Sequence, residues 1–445
     1  MEIIIPKKVS YILHKLMNNG YEAYIVGGSV RDSLLNKVPK DFDITTNAVP
    51  SEIMSIFNHT IPTGLIHGTI TVIINNEQFE ITTYRIDGKY KDNRHPSKVT
   101  FTSSLKQDLS RRDFTINAMA YGVNGILQDP FHGLFDLEEK LVRTVGNADL
   151  RFNEDALRML RAVRFSCQLN FKIEKETLKS ITINSHLLEN ISRERVRDEL
   201  SKILLSRVPS KGIRLLQSTN LLEQILPEIM PCIGFDQHHP YHDKDVYEHT
   251  LSVLDNTPSK LTLRLSALLH DILKPNCFTL DEKGTGHFYT HEIKSAKASE
   301  DILRALKFDK STINTVSLLI KEHMSKNTSL NSVSIKRYIN RIGIENLEDL
   351  FQLQVADIKG LKPTDDFNVI FDIKRMINKI IDEKQPLKAS DLAIDGKDLI
   401  KLGYEPGKEL GNLLKLLLDQ VIENPKLNTK KNLLLLAKDK NQNKL

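Results

Sequence analysis

Two carboxylates, Asp41 and Asp43, stand two positions apart in the segment DFDITT, whose alternating pattern predicts a short strand. Side chains two residues apart on a strand point to the same face, so we expect the two carboxylates to lie side by side. Such a pair is costly without a cation between its members. Because Mg²⁺ prefers one or two carboxylates together with substrate phosphates, the pair predicts a magnesium site for a phosphorylated substrate.

A glycine pair followed by charged residues, GGSVRD at 27–32, precedes the carboxylates. Glycine lacks a Cβ, so the backbone N–H groups of this turn can approach a triphosphate closely, and Arg31 can add a charge-assisted contact. Taken alone, the carboxylate pair could be a surface strand edge and the glycine pair a plain turn. Their occurrence together, about ten residues apart, favours a nucleotide site. The sequence contains no GxxxxGK[ST] motif, which excludes a P-loop.

A third motif, LSRRDFTINA, occupies residues 109–118. Ser110 is a suitable cap for a helix that carries Arg111 and Arg112. An arginine pair is usually part of a solvated face, but within RRDFTINA it favours a functional role.

A fourth motif, EDALR at 154–158, is followed by Arg161 and Arg164. Asp155, Arg158, Arg161 and Arg164 follow one another at intervals of three residues. This spacing predicts one stripe along a helix, on which Asp155 and Arg158 are neighbours. A carboxylate accepts from an exocyclic amine, and a guanidinium donates to ring acceptors. Cytosine and adenine both offer an amine beside a ring nitrogen, whereas uracil and guanine present carbonyls there. Such a pair can therefore distinguish cytosine and adenine from uracil and guanine. The alternative is an intrahelical salt bridge worth about 0.2–0.5 kcal/mol.

The elements that must position these motifs alternate in the first hundred residues. The patterns predict an amphipathic helix over 1–20, a strand in YEAYIVGG, and a helix in SVRDSLLN with Ser29 as its N-cap. VPSEIMSIF predicts another helix, and the two strands HGTITVIIN and QFEITTYR are separated by an asparagine turn. Residues 86–109 are polar and include Gly88 and Pro96, so we expect them to form a long loop with a functional role. Helical periodicity dominates from about Asn153 onward.

GGSVRD followed by DFDI resembles the signature of the nucleotidyltransferase superfamily that includes DNA polymerase β. More narrowly, the chain is similar to class II tRNA nucleotidyltransferases and bacterial poly(A) polymerases, most densely over residues 21–165. The resemblance implies an α+β fold, in which a small mixed β-sheet head of the DNA polymerase β type precedes an all-helical neck, an HD-like body and a tail. We place the head at 1–145, the neck at 146–205, the body at 206–375 and the tail at 376–445.

The resemblance also implies roles for individual residues. Asp41 and Asp43 would be catalytic and hold Mg²⁺, with Glu80 in QFEITTYR as a third acidic residue; its alternative is an exposed strand carboxylate. Asp113 and Asn117 would have structural or sugar-side roles. The residues that would bind the nucleotide are Gly28, Arg31 and Arg112, chiefly at the triphosphate, Asp155 and Arg158 at the base, and Arg161 and Arg164 at base or phosphate.

The segment from Arg85 to Pro96 resembles the flexible loop that A-adding and CCA-adding enzymes keep and CC-adding enzymes lack. Glu154 and Asp155 argue against a poly(A) polymerase, which tends to replace them. An enzyme that adds only A shares both features and stays open. We therefore expect template-independent addition of CCA to the 3′ end of tRNA from CTP and ATP, with release of pyrophosphate.

The later helical region contains histidines and aspartates in an order that resembles an HD phosphohydrolase domain. The candidate metal ligands are His249, His270, Asp271 and Asp357, with His291 and His323 as second-metal or phosphate groups. Such side chains suit a divalent transition metal and phosphoester hydrolysis. The alternative is a structural HD fold without metal.

The chain end is similar to the tail that grips the tRNA elbow in these enzymes. Its lysines are suited to phosphate contacts, although a solvated helical face is the alternative reading; they are Lys401, Lys408, Lys426, Lys430 and Lys431.

Composition bounds these expectations. The 445 residues carry a formal charge of +5, which permits a polyanionic partner without demanding one. Three distant cysteines argue against a disulfide framework and favour the reducing cytoplasm. We expect no membrane span and no signal peptide. Two other classes stay open: an HD phosphohydrolase with a degenerate head, and a non-catalytic tRNA-binding protein. The sequence leaves the oligomeric state undetermined.

Overall fold

The computed structural model describes residues 3–88, 98–238, 243–327, 331–361 and 367–442. The chain forms two compact units, one of residues 1–230 with 305–308 and the other of residues 231–304 with 309–445. All the candidate nucleotide motifs belong to the first unit, and the candidate histidine cluster belongs to the second. Within the described ranges, no helix has both the length and the apolar character that crossing a membrane requires.

The amino-terminal part of the first unit is built on a sheet. Its strands and a separate pair are β1 (Ala23–Val26), β2 (Asp43–Thr46), β3 (Thr60–Gly64), β4 (Thr69–Ile74), β5 (Glu77–Thr83), β6 (Arg85–Asp87), β7 (Val99–Phe101), β8 (Ala120–Tyr121) and β9 (Leu127–Gln128). Seven of them form one sheet in the order β3-β4-β5-β2-β1-β8-β9, and β6 pairs with β7. The sheet is mixed, because β2 and β5 run parallel while the other paired neighbours are antiparallel.

Five helices accompany the sheet: α1 (Lys7–Asn18), α2 (Gly28–Leu34), α3 (Pro50–Ile56), α4 (Leu105–Ser110) and α5 (Gly133–Glu138). The apolar face of α1, with Val9, Ile12, Leu13 and Leu16, is buried, which agrees with its predicted amphipathic character. Val26 of β1 belongs to an apolar cluster that includes Leu109, Ala118, Ala120 and Val145.

Three local predictions for this part are wrong. Gly27 rather than Ser29 precedes α2, and the Ser29 hydroxyl donates to the Val26 carbonyl instead of capping the helix. Ser110 is the last residue of α4, whose N-cap is Ser104. Residues 86–109 contain β7, most of β6 and α4 rather than one long loop. Short elements of three to six residues show too little periodicity to be recognised in a polar segment.

The rest of the first unit is mainly helical. Its elements are β10 (Leu141–Val142), α6 (Ala148–Glu154), α7 (Leu157–Leu169), β11 (Lys172–Ile173), α8 (Lys175–Asn184), α9 (Arg193–Leu204), α10 (Pro209–Ser218) and α11 (Leu221–Ile225). The short strands β10 and β11 pair in parallel, so the region expected to be all-helical contains two strand residues. Helix α7 is buried over most of its length and packs against α9 and α10.

The second unit consists of helices and one small strand pair. Its elements are α12 (Val246–Asn256), α13 (Leu261–Leu269), α14 (Lys274–Cys277), β12 (Thr279–Leu280), β13 (Gly286–His287), α15 (His291–Ala305), α16 (Lys310–Glu322), α17 (Ser332–Ile342), α18 (Ile344–Gly360), α19 (Asn368–Asp382), α20 (Gly396–Ile400), α21 (Lys408–Glu423) and α22 (Lys430–Gln442). The apolar helix α13 is almost wholly buried, and α12, α16 and α18 pack against it. A separate apolar cluster joins residues of the last three helices. The predicted α+β class, a small mixed sheet followed by helices, is confirmed.

Candidate functional site

Strand register brings the candidate carboxylates together. The parallel pairing of β2 with β5 places Ile44 beside Ile81, so the preceding residues, Asp43 and Glu80, are neighbours on the same face. Asp41 lies just before β2, and all three carboxylates line one cavity of about 800 Å³. The predicted proximity of Asp41 and Asp43 therefore holds, although only Asp43 belongs to the strand.

The electrostatics of this cavity fit a cation. Burial raises the pKa of Asp43 above its usual range, Arg112 opposes that rise, and the negative charges of Asp41 and Glu80 add to it. Neighbouring negative charges are stabilised by a shared positive charge. Hard oxygen donors of this kind suit Mg²⁺.

Arg112 lies close to both the glycine turn and Asp43. Gly27 has a φ of +76°, and a Cβ at this position would lie 3.1 Å from Nη1 of Arg112 and 3.9 Å from Oδ2 of Asp43. The fully buried Asp108 carboxylate is 3.6 Å from Arg112 and pairs more closely with Arg111 at 2.9 Å. Burial lowers the pKa of Arg112 despite the opposing charge of Asp108. The turn thus needs glycine both for its backbone conformation and to leave room for the guanidinium.

Asp113 is the centre of a second buried network. Its Oδ2 accepts from Nε and Nη2 of Arg161 at 2.8 and 2.5 Å, and its Oδ1 accepts from the Asn117 amide at 3.2 Å. Asn117 in turn accepts from Nη1 of Arg31 at 2.7 Å. Burial acts to raise the pKa of Asp113, but Arg161 and Asn117 outweigh it, and the pKa falls to about 2. This aspartate is therefore charged at neutral pH and holds both arginines.

Three predicted nucleotide-binding arginines surround one aromatic ring. The guanidinium carbons of Arg31, Arg161 and Arg164 lie 5.0, 5.5 and 4.4 Å from the centre of Phe165. Arg31 also pairs with Asp32 at 2.8 Å, and Arg164 donates to the buried Glu199 at 3.0 Å. Most of these guanidinium groups are thus engaged by protein acceptors.

The EDALR motif does not form one helical stripe as predicted. Helix α6 ends at Glu154, Asp155 is extended with φ −144° and ψ 102°, and α7 begins at Leu157. The cause is local, because Oδ1 of Asp155 accepts from the Leu157 N–H at 3.1 Å. Aspartate side chains favour such contacts at the start of a helix over a helix interior.

Asp155 and Arg158 have separate side-chain partners. Oδ2 of Asp155 accepts from Nη2 of Arg195 on α9 at 2.7 Å. Arg158 donates to Glu154 at 2.6 Å and to the carbonyl of Arg111 at 3.0 Å. The two residues are neighbours through their backbones rather than their side chains, because the Arg158 N–H donates to the Asp155 carbonyl at 3.0 Å.

The histidines and aspartates of the second unit converge on Asp271. Ligand atoms of His249, His270 and Asp271 lie within 4.8 Å of one another, and so do those of Asp271, His291 and His323. Asp357 is near the first group, with its Oδ1 3.2 Å from Nε2 of His249 and 3.8 Å from Nε2 of His270. The structure therefore brings together all six predicted residues: five form two triads that share Asp271, and Asp357 lies beside the first triad.

Backbone carbonyls orient three of the rings. Nδ1 of His270 donates to Ala267, Nδ1 of His291 to Phe288, and Nδ1 of His323 to Ile320. With the proton assigned to Nδ1, the lone pair of each Nε2 is available to a metal. Burial and the neighbouring His270 lower the pKa of His323 to about 3, which favours its neutral, ligating form.

A cavity of about 450 Å³ adjoins this cluster and gives it room for a ligand. Its lining includes Asp271, His323, Asp357 and the buried Lys274, whose Nζ is 2.7 Å from Oδ2 of Asp271. Two imidazole- and carboxylate-based triads beside an open cavity have the donor set of a divalent transition-metal site.

The tail lysines predicted to contact RNA are exposed: Lys401, Lys408, Lys426, Lys430 and Lys431. Lys430 pairs with Asp398 at 2.7 Å. Of the loop predicted between Arg85 and Pro96, residues 89–96 lie outside the described part of the chain. The three cysteines are buried and form no disulfide.

Known proteins resemble this chain over almost its whole length. The CCA-adding enzyme of Ligilactobacillus salivarius is 36% identical over 435 residues, which are 97% of this chain and 96% of that enzyme. The CCA-adding enzyme of Limosilactobacillus reuteri is 37% identical over 406 residues, covering 91% and 89% of the two chains. This chain belongs to the CCA-adding enzyme family.

Family models and a solved structure agree with this membership. A poly(A) polymerase head domain model matches residues 23–143, an RNA and SrmB-binding site model of polymerase A matches 170–233, and a tRNA nucleotidyltransferase domain 2 model matches 287–437. The crystal structure of the Bacillus stearothermophilus CCA-adding enzyme in complex with CTP has a TM-score of 0.73 and 26% identity, and the match covers 99% of each chain. The chain is accordingly a tRNA nucleotidyltransferase.

The sequence did not predict four residues that lie beside the site of this CCA-adding enzyme family member: Asp108, Phe165, Arg195 and Glu199. Asp108 was recognisable, because it stands three and four residues before Arg111 and Arg112 in a helical segment. No sequence pattern links Arg195 to Asp155 across 40 residues.

Gly27→Ala is expected to impair nucleotide incorporation at least tenfold, because the added Cβ displaces Arg112. It also costs about 1–3 kcal/mol, because Gly27 combines φ +76° with ψ −129°, a backbone conformation that residues with a Cβ rarely adopt. Steady-state incorporation of CTP and ATP measures the first effect, and urea unfolding measures the second.

Gly20→Ala is the matched control for this substitution. Gly20 has a similar φ of +86°, but nothing lies within 4 Å of an added Cβ. We expect the same loss of stability with little loss of activity. Equal activity of the two variants would contradict the assigned contact between Gly27 and Arg112.

Proposed function

We propose that this protein adds C, C and A in sequence to the 3′ end of tRNA, using CTP and ATP and no template. The observation that carries the proposal is the cavity in which Asp41, Asp43 and Glu80 meet beside Arg112. This arrangement has the donors for a divalent cation and the positive charge for a triphosphate. The near full-length similarity to CCA-adding enzymes supports the choice of tRNA as acceptor.

In the proposed reaction the terminal 3′-hydroxyl oxygen of tRNA forms a bond to the α-phosphorus. The bond from that phosphorus to the oxygen leading to the β-phosphate breaks, and pyrophosphate leaves. Asp41 and Asp43 would hold Mg²⁺, with Glu80 as the neighbouring third carboxylate. When bound, the ion supplies charge stabilisation for the reacting oxygens.

The remaining roles follow from what each side chain contacts. We assign Gly28 and Arg112 to the triphosphate, and Asp155 and Arg158 to the base. Arg161 is about one-third exposed, so it can reach a nucleotide while paired with Asp113. Arg31 and Arg164 are about nine-tenths buried, so their pairs with Asp32 and Glu199 hold the site in place.

The proposed division of labour along the chain has four parts. Residues 1–145 carry the transfer chemistry, 146–205 read the base, 206–375 hold the histidine cluster, and 376–445 bind tRNA. The exposed tail lysines support the last assignment, because clustered lysines contact phosphates without sequence preference.

Asp43→Ala is expected to lower incorporation of both CTP and ATP by at least a thousandfold, because it removes a ligand from the proposed Mg²⁺ site. Tight tRNA binding is expected to persist, since the cavity carboxylates repel phosphates. Single-turnover extension of radiolabelled tRNA and filter binding give the two readouts.

Glu139→Ala, which removes an exposed carboxylate of the same domain, is the control and should leave both readouts unchanged. Normal incorporation by the Asp43 variant would show that the transfer chemistry resides elsewhere.

We propose a second function for the cluster around Asp271, the metal-dependent hydrolysis of phosphoesters. The observation that favours it is the pair of triads that share Asp271 and adjoin a 450 Å³ cavity. His249, His270, Asp271 and Asp357 would hold a divalent transition metal, with His291 and His323 as the second group. Such an ion supplies an activated water and polarises the phosphoryl oxygen.

Asp271→Asn is expected to abolish tight metal binding, since Asp271 is common to both triads. Equilibrium dialysis against Ni²⁺, which prefers imidazole ligands to an all-carboxylate site, followed by elemental analysis, should find one to two ions per chain in the unaltered protein. The control, His186→Gln, changes an exposed histidine and should bind as much metal as the unaltered protein. Absence of bound metal in the unaltered protein would refute the site.

A further inference from the structure

A salt bridge from outside the nucleotide motifs fixes the position of Asp155. Nη2 of Arg195 on α9 lies 2.7 Å from Oδ2 of Asp155, and both side chains are largely buried, with 24% and 19% exposed. At this depth the pair is screened less by solvent than a surface pair. Arg195 therefore constrains the orientation of a carboxylate that we have assigned to the base.

Arg195 has an electrostatically unfavourable position in its own helix. Arg195 occupies the first turn of α9, which begins at Arg193. The helix dipole disfavours a positive charge at this end. The contact with Asp155 supplies the compensating negative charge from the extended segment between α6 and α7.

Helix α9 contacts residues 155–164 through two salt bridges. It contributes the positive charge to one of them and the negative charge to the other. Arg195 pairs with Asp155, and Glu199, one turn later on the same face of α9, pairs with Arg164 at 3.0 Å. A shift of α9 by one turn would bring Glu199 toward Asp155 and remove both attractions. The two pairs thus fix the register of α9 against the segment that carries Asp155.

The carboxylate of Asp155 retains acceptor capacity in this arrangement. Oδ1 accepts from the Leu157 N–H at 3.1 Å and Oδ2 accepts from Arg195. Each oxygen has a second lone pair that can accept from an exocyclic amine. Both contacts fix the plane of the carboxylate, so the direction of the remaining lone pairs is set before a nucleotide arrives.

Arg195 is not saturated by its partners, whereas Arg158 is extensively paired. Its Nη1 is inaccessible to solvent and has no hydrogen-bond partner among the described residues. A buried N–H without an acceptor is unfavourable. Arg158, by contrast, already donates to Glu154, Arg151 and Arg111.

We propose that Arg195 is a specificity-determining positioning residue, which orients Asp155 to accept from the amine of cytosine or adenine. The inference rests on the proposed base-reading role of Asp155. Without Arg195 the carboxylate can rotate, and selection against uracil and guanine weakens even though the transfer chemistry is intact.

The experiment compares discrimination among nucleotides rather than activity alone. Single-turnover kcat/KM is measured for ATP, GTP and UTP on tRNA that lacks only its final A, and for CTP and UTP on tRNA that lacks the last CA. Arg195→Ala is expected to lower the ratio of correct to incorrect kcat/KM about tenfold, the effect of one hydrogen bond to a charged group. Arg195→Lys keeps the charge and should recover part of the ratio.

Arg193→Ala is the matched control. Arg193 lies two residues earlier on α9, is exposed, and donates to the Gln224 carbonyl at 3.4 Å. Its loss should leave discrimination unchanged. Circular dichroism and the unfolding temperature of all variants separate a folding defect from a change in selectivity, and Arg195→Lys provides a readout if Arg195→Ala folds poorly.

The double variant distinguishes the two proposals. If Arg195 acts through Asp155, then Asp155→Ala with Arg195→Ala discriminates no worse than Asp155→Ala alone. Unchanged discrimination in folded Arg195 variants, with loss in Asp155→Ala, would overturn the inference and leave the base-reading role standing. Unchanged discrimination in Asp155→Ala itself would overturn the base-reading role and this inference with it.

Discussion

The buried carboxylate of Asp113 is the constraint on which the arrangement of the arginines depends. It holds Arg161 through two hydrogen bonds and, through Asn117, Arg31. Burying charges costs several kcal/mol per ion, and only well-formed pairs with further hydrogen bonds offset that cost. Removing this carboxylate would leave guanidinium groups buried without compensation. The arrangement of the arginines near the cavity lined by Asp41, Asp43 and Glu80 therefore depends on the acceptors with which they pair.

Two kinds of carboxylate in the first unit have opposite electrostatic environments. Burial raises the pKa of Asp43, whereas Arg161 and Asn117 overcome burial and hold the pKa of Asp113 at about 2. The charge of Asp113 is compensated by the protein itself, while that of Asp43 is compensated only in part, by Arg112. This difference separates a structural carboxylate from one suited to an exogenous cation. Because Asp113 is the carboxylate that pairs with the neighbouring arginines, these arginines do not neutralise the carboxylates of the cavity.

The sequence predicted the sheet and the meeting of the carboxylates, because strand alternation and hydrophobic periodicity are local properties. It also predicted the residues that gather around Asp271, though through a family resemblance rather than through geometry. It failed where one side chain decided the backbone: Asp155 breaks the expected helix by accepting from the Leu157 N–H. Arg195 was beyond its reach, since an ion pair across 40 residues depends on how α9 packs against α7.

The central claim is that one site adds two different nucleotides in a fixed order without a template. The most direct measurement uses three radiolabelled tRNAs that lack the whole CCA, the last CA, or the last A, each incubated with CTP alone, ATP alone, or both. We expect all three to reach a complete CCA end when both nucleotides are present, with CTP alone adding only the missing C residues. Extension of only the tRNA that lacks the last A would make this an A-adding enzyme. Long adenosine tails would contradict the account in favour of poly(A) polymerisation.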